Sequence, residues 1–252
     1  MRFYCLACEA LARLLYGAAT NSAHTVDIKL ISLGKHADPK QLNVIIQSAI
    51  DQLDVANYEA ILVGYGLCGN WLTSLSTRSI PVVLPKVHDC IPLVLGNSDL
   101  YRNNMEEKPG TYWYTRDFIE RADAGDSFIP LGASTPKIFG STLEELTEKF
   151  GEENACYLSQ IANDWQKSYQ RAVWVEPLTT GITEQEMQAR REAESRGWQF
   201  EKIRENPVLI RALLNGDWLT ENPQHFFVIP PNKKVSLSYD ENIFQLIPNE
   251  GT

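Results

Sequence analysis

Short apolar runs alternate with amphipathic helical patterns along this chain, and the alternation restricts the folds open to it. Runs made largely of Ile, Val and Leu are typical of strands that are buried on both faces, as in a parallel sheet covered by helices. Helices that connect successive strands indicate βαβ units. The sequence therefore predicts an α/β, Rossmann-like fold with a mostly parallel sheet and helices on both faces. The predicted strands are residues 2–7, 26–33, 59–64, 80–84, 171–176, 198–203 and 225–229.

The pattern repeats, which predicts two lobes of the βαβ type. We predict an N-terminal lobe over residues 1–121, a loop and helical connector over 122–168, and a C-terminal lobe over 169–252. Two stretches, residues 97–110 and 122–141, are rich in Gly, Asp, Ser and Pro and are predicted to be loops or inserts.

Composition excludes several classes of partner. The 252 residues include 23 Lys and Arg against 32 Asp and Glu, a net charge of −9, whereas nucleic-acid binding needs clustered excess cation. No stretch approaches the ~18 uninterrupted apolar residues of a membrane helix. Glu9 and Arg13 interrupt the apolar run near the N-terminus, so we interpret it as the first strand and helix, not as a signal peptide. We expect a cytoplasmic protein that acts on a small molecule.

Three of the five cysteines lie at the ends of predicted strands. Cys8 follows the first strand, Cys68 lies in GYGLCGN after the third, and Cys90 lies in HDC after the fourth. The carboxyl ends of parallel strands meet at one edge of a sheet, where ligands of α/β proteins bind, so we expect these thiols to converge. A single buried cysteine is ordinarily a small core residue. Cys5 and Cys156 are predicted to be core residues, with a weaker alternative in which Cys5 pairs with Cys8 in the CLAC segment.

Three thiolates that reach one place from separate strands suit a metal centre with an open position. Our leading interpretation is a [4Fe-4S] cluster whose open iron acts as a Lewis acid in lyase, dehydratase or desulfidase chemistry. The first alternative is zinc, which would deprotonate a thiol substrate for methylation. The second is an accessory protein that binds a metal or cofactor without catalysis.

Other side chains near these thiols are candidates for proton transfer and substrate binding. Imidazole and phenol groups can donate protons, glycines let the backbone approach a ligand closely, and guanidinium can hold a carboxylate or phosphate. The histidine is also a possible fourth metal ligand. Each candidate has a structural alternative: a helix cap or loop packing for the histidine, a plain turn for the glycine loop, and a surface charge for the arginine. The candidates are His88 and Tyr65 as proton donors, and Gly66, Gly69, Asn70 and Arg116 as substrate contacts.

Several segments together carry a resemblance to a known family. CEAL, GYGLCGN, PKVHDCIPLVLG, PGTYWYTRDFIE, LLNGDW and FFVIPP resemble the domain of unknown function 1638 family of bacteria and archaea, over almost the whole chain. Members are often encoded near corrinoid-dependent methyltransferases for methylated amines. The resemblance therefore implies a link with methyl transfer or corrinoid handling, with a corrinoid protein or methyltransferase as partner. The family's motif cysteines fall on Cys8, Cys68 and Cys90, with His88 in the last loop, while Trp71 stands where a small residue is expected.

Overall fold

The computed structural model contains strands and helices in alternation. It describes residues 1–33, 35, 38–68, 71–72, 74–121, 147–148, 150–155, 168–178, 181–220, 224–238 and 243–247. The strands are β1 (Arg2–Cys8), β2 (Thr25–Ile31), β3 (Ala60–Gly64), β4 (Leu75–Ser76), β5 (Val82–Pro85), β6 (Thr111–Tyr114), β7 (Arg171–Glu176), β8 (Gln199–Arg204), β9 (Phe226–Ile229), β10 (Lys234–Leu237) and β11 (Phe244–Ile247). The helices are α1 (Ala12–Ala19), α2 (Pro39–Gln52), α3 (Ile91–Leu95), α4 (Ser98–Glu107), α5 (Arg116–Arg121), α6 (Glu184–Ser195) and α7 (Val208–Asn215).

The main sheet of the protein has five strands in the order β2-β1-β3-β5-β9. Its first four strands are parallel, and β9 joins its edge in the antiparallel direction. Every residue of β3 is buried, as expected of a strand covered on both faces. The prediction of an α/β protein with a mostly parallel central sheet is therefore confirmed.

The helices of this sheet form where the sequence predicts them. Asp38 accepts a hydrogen bond from the backbone N–H of Gln41, and Pro39 occupies the first turn, so α2 has both signals of a helix start. The inner face of α2 consists of Leu42, Ile46 and Ile50, spaced four residues apart as in an amphipathic helix. The described helices are too short or too polar to cross a bilayer.

Two smaller sheets complete the described structure. Strands β6, β7 and β8 form a second parallel sheet, and β4, β10 and β11 form an antiparallel one. This pairing crosses the predicted lobe boundaries. Strand β6 lies before residue 121 but pairs with β7, and β9 lies after residue 169 but pairs with β5. Pairing between strands far apart in sequence is not encoded in local apolar patterns, so the predicted boundaries could not anticipate it.

One predicted loop was wrong. Residues 97–110 contain α4, and the polar residues that suggested a loop begin this helix instead. Asn97 caps it by accepting a hydrogen bond from the backbone N–H of Leu100, and Asp99 lies in its first turn. Gly96, with a φ of 64°, ends α3 just before it. The second predicted loop, residues 122–141, lies outside the described residues.

Candidate functional site

The three cysteines predicted to converge lie together in the structure. Cys8 ends β1, Cys68 lies in the loop after β3, and Cys90 lies in the loop after β5. The Sγ atoms of Cys68 and Cys90 are 3.5 Å apart, and the thiols of Cys8 and Cys90 share a hydrogen bond. All three side chains are buried. The carboxyl edge of the main sheet therefore holds a cluster of three sulfurs, which we call the thiol cluster.

The two loops that carry Cys68 and Cys90 are held in direct backbone contact. The backbone N–H of Cys68 donates to the carbonyl of His88 over 2.9 Å. A Cβ atom at Gly66 would lie 2.2 Å from the carbonyl carbon of Asp89, so only glycine allows this approach. Trp71 holds the turn from the other side, because its indole N–H donates to the carbonyl of Gly66 over 2.8 Å. The large side chain at position 71 thus supports the glycine turn.

Cys68 adopts a backbone conformation that side chains disfavour. Its φ is 34°, in the left-handed region that glycine and asparagine usually occupy. A residue held there costs on the order of 1–3 kcal/mol and is common at functional sites. The Cys68 thiol is thus held beside Cys90 from a backbone conformation that is strained for a residue with a side chain.

Burial and mutual contact keep the thiols of Cys8 and Cys90 neutral. The pKa of Cys8 is raised well above its usual value, chiefly by its hydrogen bond with Cys90 and then by burial. The pKa of Cys90 is raised in the same direction, chiefly by its hydrogen bond with Cys68. The backbone N–H of Gly66 donates to the Cys90 sulfur over 3.4 Å and opposes this shift without reversing it. A metal ion would have to displace protons from these thiols.

Tyr65 lies beside the thiol cluster, as the sequence predicts for a residue of this loop. It is buried, and its hydroxyl contacts Cys8 and donates to the carbonyl of Ile31 over 3.4 Å. Burial, followed by the neighbouring thiols, raises the pKa of Tyr65 well above its ordinary value. The phenol therefore stays protonated, and its single O–H can turn from the Ile31 carbonyl to donate to the Cys8 sulfur instead.

Tyr101 and Asp89 are two residues near the thiol cluster that the sequence analysis did not identify as candidates. The Tyr101 hydroxyl donates to the Asp89 carboxyl, which also accepts a hydrogen bond from the backbone N–H of Ile91 over 2.8 Å. Burial raises the pKa of Asp89. Burial, Asp89 and the nearby Cys68 thiol together raise the pKa of Tyr101. Tyr101 went unnoticed because it lies on α4, in the stretch that the sequence indicates as a loop.

The remaining candidates lie elsewhere. The His88 side chain is exposed and lines a groove that α4 and His225 also border, and no hydrogen bond joins it to the sulfurs within the described residues. Arg116 lies at the start of α5, where its Nε donates to Glu120 over 2.8 Å. Cys5 is a core residue whose burial raises its pKa to about 12. Gly69, Asn70 and Cys156 lie outside the described residues.

The arrangement is not a preformed metal site. Within the described ranges, no three His, Cys, Asp or Glu side chains are grouped so that they could hold a metal ion. In the thiol cluster, Cys90 touches both neighbouring thiols. The cluster offers the right donor atoms for a soft metal, but small side-chain shifts are needed to surround an ion.

Fold and site together define an α/β protein with a buried three-cysteine cluster at the carboxyl edge of its main sheet. The model of the family described as Protein of unknown function (DUF1638) matches residues 30–214. The match covers more than half of the chain, so the protein belongs to this family, as the sequence motifs predict. Cys68 and Cys90 lie inside the matched residues, and Cys8 precedes them. No curated protein and no solved structure matches the chain.

Proposed function

We propose that Cys8, Cys68 and Cys90 bind one soft metal ion, zinc in the first instance. The observation that carries this proposal is the 3.5 Å separation of the Cys68 and Cys90 sulfurs. Tetrahedral zinc holds sulfur at about 2.3 Å, so two sulfurs on the same ion lie about 3.8 Å apart. A [4Fe-4S] cluster binds its cysteines through separate iron atoms and needs thiolates that are spread more widely. The separation therefore favours a single ion over the cluster that the sequence first suggested.

The cluster suits catalysis as well as binding. Three protein ligands leave the fourth position of tetrahedral zinc open, which is the arrangement of catalytic zinc sites. Zinc in that arrangement would deprotonate a substrate thiol and so make it a nucleophile. The Gly66 N–H stabilises charge on the Cys90 sulfur, and the Tyr65 hydroxyl can do so at Cys8.

We propose that this chemistry serves methyl transfer, with a corrinoid protein or methyltransferase as partner. The family motifs support this link, and an activated thiol is the kind of group that accepts a methyl cation equivalent. The parallel pairing of β2, β1, β3 and β5, with connecting helices, supports a Rossmann-like description of the fold. The cysteines at positions 5, 8, 68 and 90 are all free, which suits a reducing compartment such as the cytoplasm.

Metal analysis of the protein purified without oxygen tests the proposal. We expect about one zinc per chain and no brown colour, and we expect the metal to be lost in Cys68→Ala. Cys5→Ala is the matched control, because Cys5 is also buried but lies in the core, away from the thiol cluster. Iron with a brown colour would instead support the cluster. A chain without metal, under conditions that preserve free thiols, would contradict both.

A further inference from the structure

A cavity of about 400 Å³ lies between α1 and the carboxyl edge of the second parallel sheet. Thr115 directly follows β6, Pro177 directly follows β7 and Glu205 directly follows β8, and all three line the cavity. This edge is where open α/β sheets bind ligands, and the volume lies within the range of small-molecule sites. None of the three cysteines of the thiol cluster lines this cavity.

Most charged groups in the cavity wall already have partners. Arg13 is paired with both Asp117 and Glu120, and Arg116 is paired with Glu120. Arg121 also contacts Asp117. These contacts satisfy both carboxylates, so neither needs a further cation.

Glu205 differs from these carboxylates. One of its oxygens accepts a hydrogen bond from the backbone N–H of Leu178 over 2.8 Å, but no Lys, Arg or His of the described residues lies within ion-pair distance. The side chain is half-buried, and burial followed by the charge of Asp117 raises its pKa. Arg211, the other charged residue of the wall without a partner in the described structure, is exposed and can remain hydrated. The partly desolvated carboxylate is therefore the group that a ligand would complement.

We infer that this cavity binds a small organic cation, an amine with an apolar body whose ammonium group pairs with Glu205. A charged ligand group beside a desolvated carboxylate gives a charge-assisted hydrogen bond, stronger than one between neutral groups. The rest of the wall is suited to the apolar body. The apolar lining includes Leu14, Val94, Val175, Pro177, Leu178 and Pro207.

Calorimetric titration of the full chain with three matched probes tests this inference. The probes are 2-phenylethylamine, neutral 2-phenylethanol and anionic 3-phenylpropanoate. We expect the amine to bind about tenfold more tightly than the alcohol, and Glu205→Gln to remove that preference, a difference of about 1.4 kcal/mol. Thermal unfolding of Glu205→Gln verifies that the variant is folded.

A second variant tests the location. A Cβ atom at Gly17 would meet no atom within 4 Å, so Gly17→Leu should fold and fill the cavity from the α1 side. We expect it to abolish binding of the amine, while Cys68→Ala leaves binding unchanged. Equal binding of amine and alcohol, or no binding of any probe by the folded protein, would overturn the inference. So would a preference for 3-phenylpropanoate that Arg211→Gln removes, which would identify an anion site.

Discussion

The carboxyl edges of the two parallel sheets differ in structure. At the main sheet, Gly66 lets two loops close onto each other, and three thiols are sealed beneath them. At the second sheet, the strand ends face α1 across an open cavity with charged walls. Parallel topology thus gives both sheets a carboxyl edge of the kind where α/β proteins bind ligands, but the spacing of the loops differs between the two edges. The closed edge buries three thiols, and the open edge leaves a cavity of about 400 Å³.

The polar groups of the two edges differ as well. In the thiol cluster, the thiols of Cys8 and Cys90 are neutral and gain charge only when they lose protons. The polar part of the cavity wall consists chiefly of Arg, Asp and Glu side chains, most of them paired, as Arg13 is with Asp117. We therefore expect ligand binding at the first edge to depend on proton release, and binding at the second to depend on charge complementarity.

The strongest test of the closed edge is Gly66→Ala. The added Cβ would lie 2.2 Å from a backbone carbon of Asp89, an atom that cannot move aside cheaply. We expect a loss of about 3 kcal/mol or more in the free energy of unfolding, measured with urea. Gly17→Ala, in an open helical position, is the control and should change stability by no more than about 1 kcal/mol. If the two variants prove equally stable, the loops are not closed as described.

The ion pairs beside the open cavity should have an intermediate effect. Arg13→Gln removes a partner from Asp117, which is 5% exposed, and we expect a loss of about 1–2 kcal/mol. Arg102→Gln, which breaks an exposed pair with Asp99, is the control and should cost less than about 0.5 kcal/mol. Equal losses for the two variants would contradict a structural role for the Arg13 pairs.

The loss of stability that Arg13→Gln causes should also depend on pH. Burial opposes ionisation of Glu120, but hydrogen bonds from Arg116 and Arg13 outweigh it and lower the pKa of this carboxyl. Its stabilising contribution is complete above the unfolded pKa of about 4.3 and is lost as the pH falls through the folded value. The stability difference between the native chain and Arg13→Gln should therefore shrink below about pH 4. Urea unfolding at pH 7 and pH 3.5 measures this difference in free energy of unfolding. A difference that is the same at both pH values would contradict a role for the Glu120 ion pairs.

Local patterns in the sequence were enough to locate the thiol cluster. Cys8, Cys68 and Cys90 each follow an apolar run, and parallel strands bring their carboxyl ends to one edge. That inference needed only strand positions and direction, without the strand order. Tyr65 was found for the same reason, because it directly follows β3.

Features that depend on contacts between distant segments could not be predicted. Tyr101 reaches Asp89 only because α4 folds back beside the Cys90 loop. Asn and Asp residues indicate turns and helix starts equally well, so the sequence did not reveal that helix. The ion pair of Arg116 with Glu120 could have been predicted from the sequence. Glu120 lies four residues further along a helix, and ion pairs at this spacing are common.

The smallest predicted effect concerns the strained backbone at Cys68. Cys68→Gly relieves the left-handed conformation, whereas Cys68→Ala keeps it, and both remove the thiol. We expect the glycine variant to be more stable than the alanine variant by about 0.5–1 kcal/mol, measured by thermal unfolding. An alanine variant at least as stable as the glycine variant would show that position 68 is not strained.

The number of protons released on zinc binding tests the thiol cluster most directly. Calorimetry of the thiol-reduced protein in two buffers of different ionisation enthalpy gives this number, and the account predicts about three protons per zinc at neutral pH. It also predicts affinity that rises with pH, because the raised pKa values of Cys8 and Cys90 keep protons that zinc must displace. Cys5→Ala should behave like the native chain. Zinc binding without proton release, or binding that survives the loss of all three cysteines, would contradict the account.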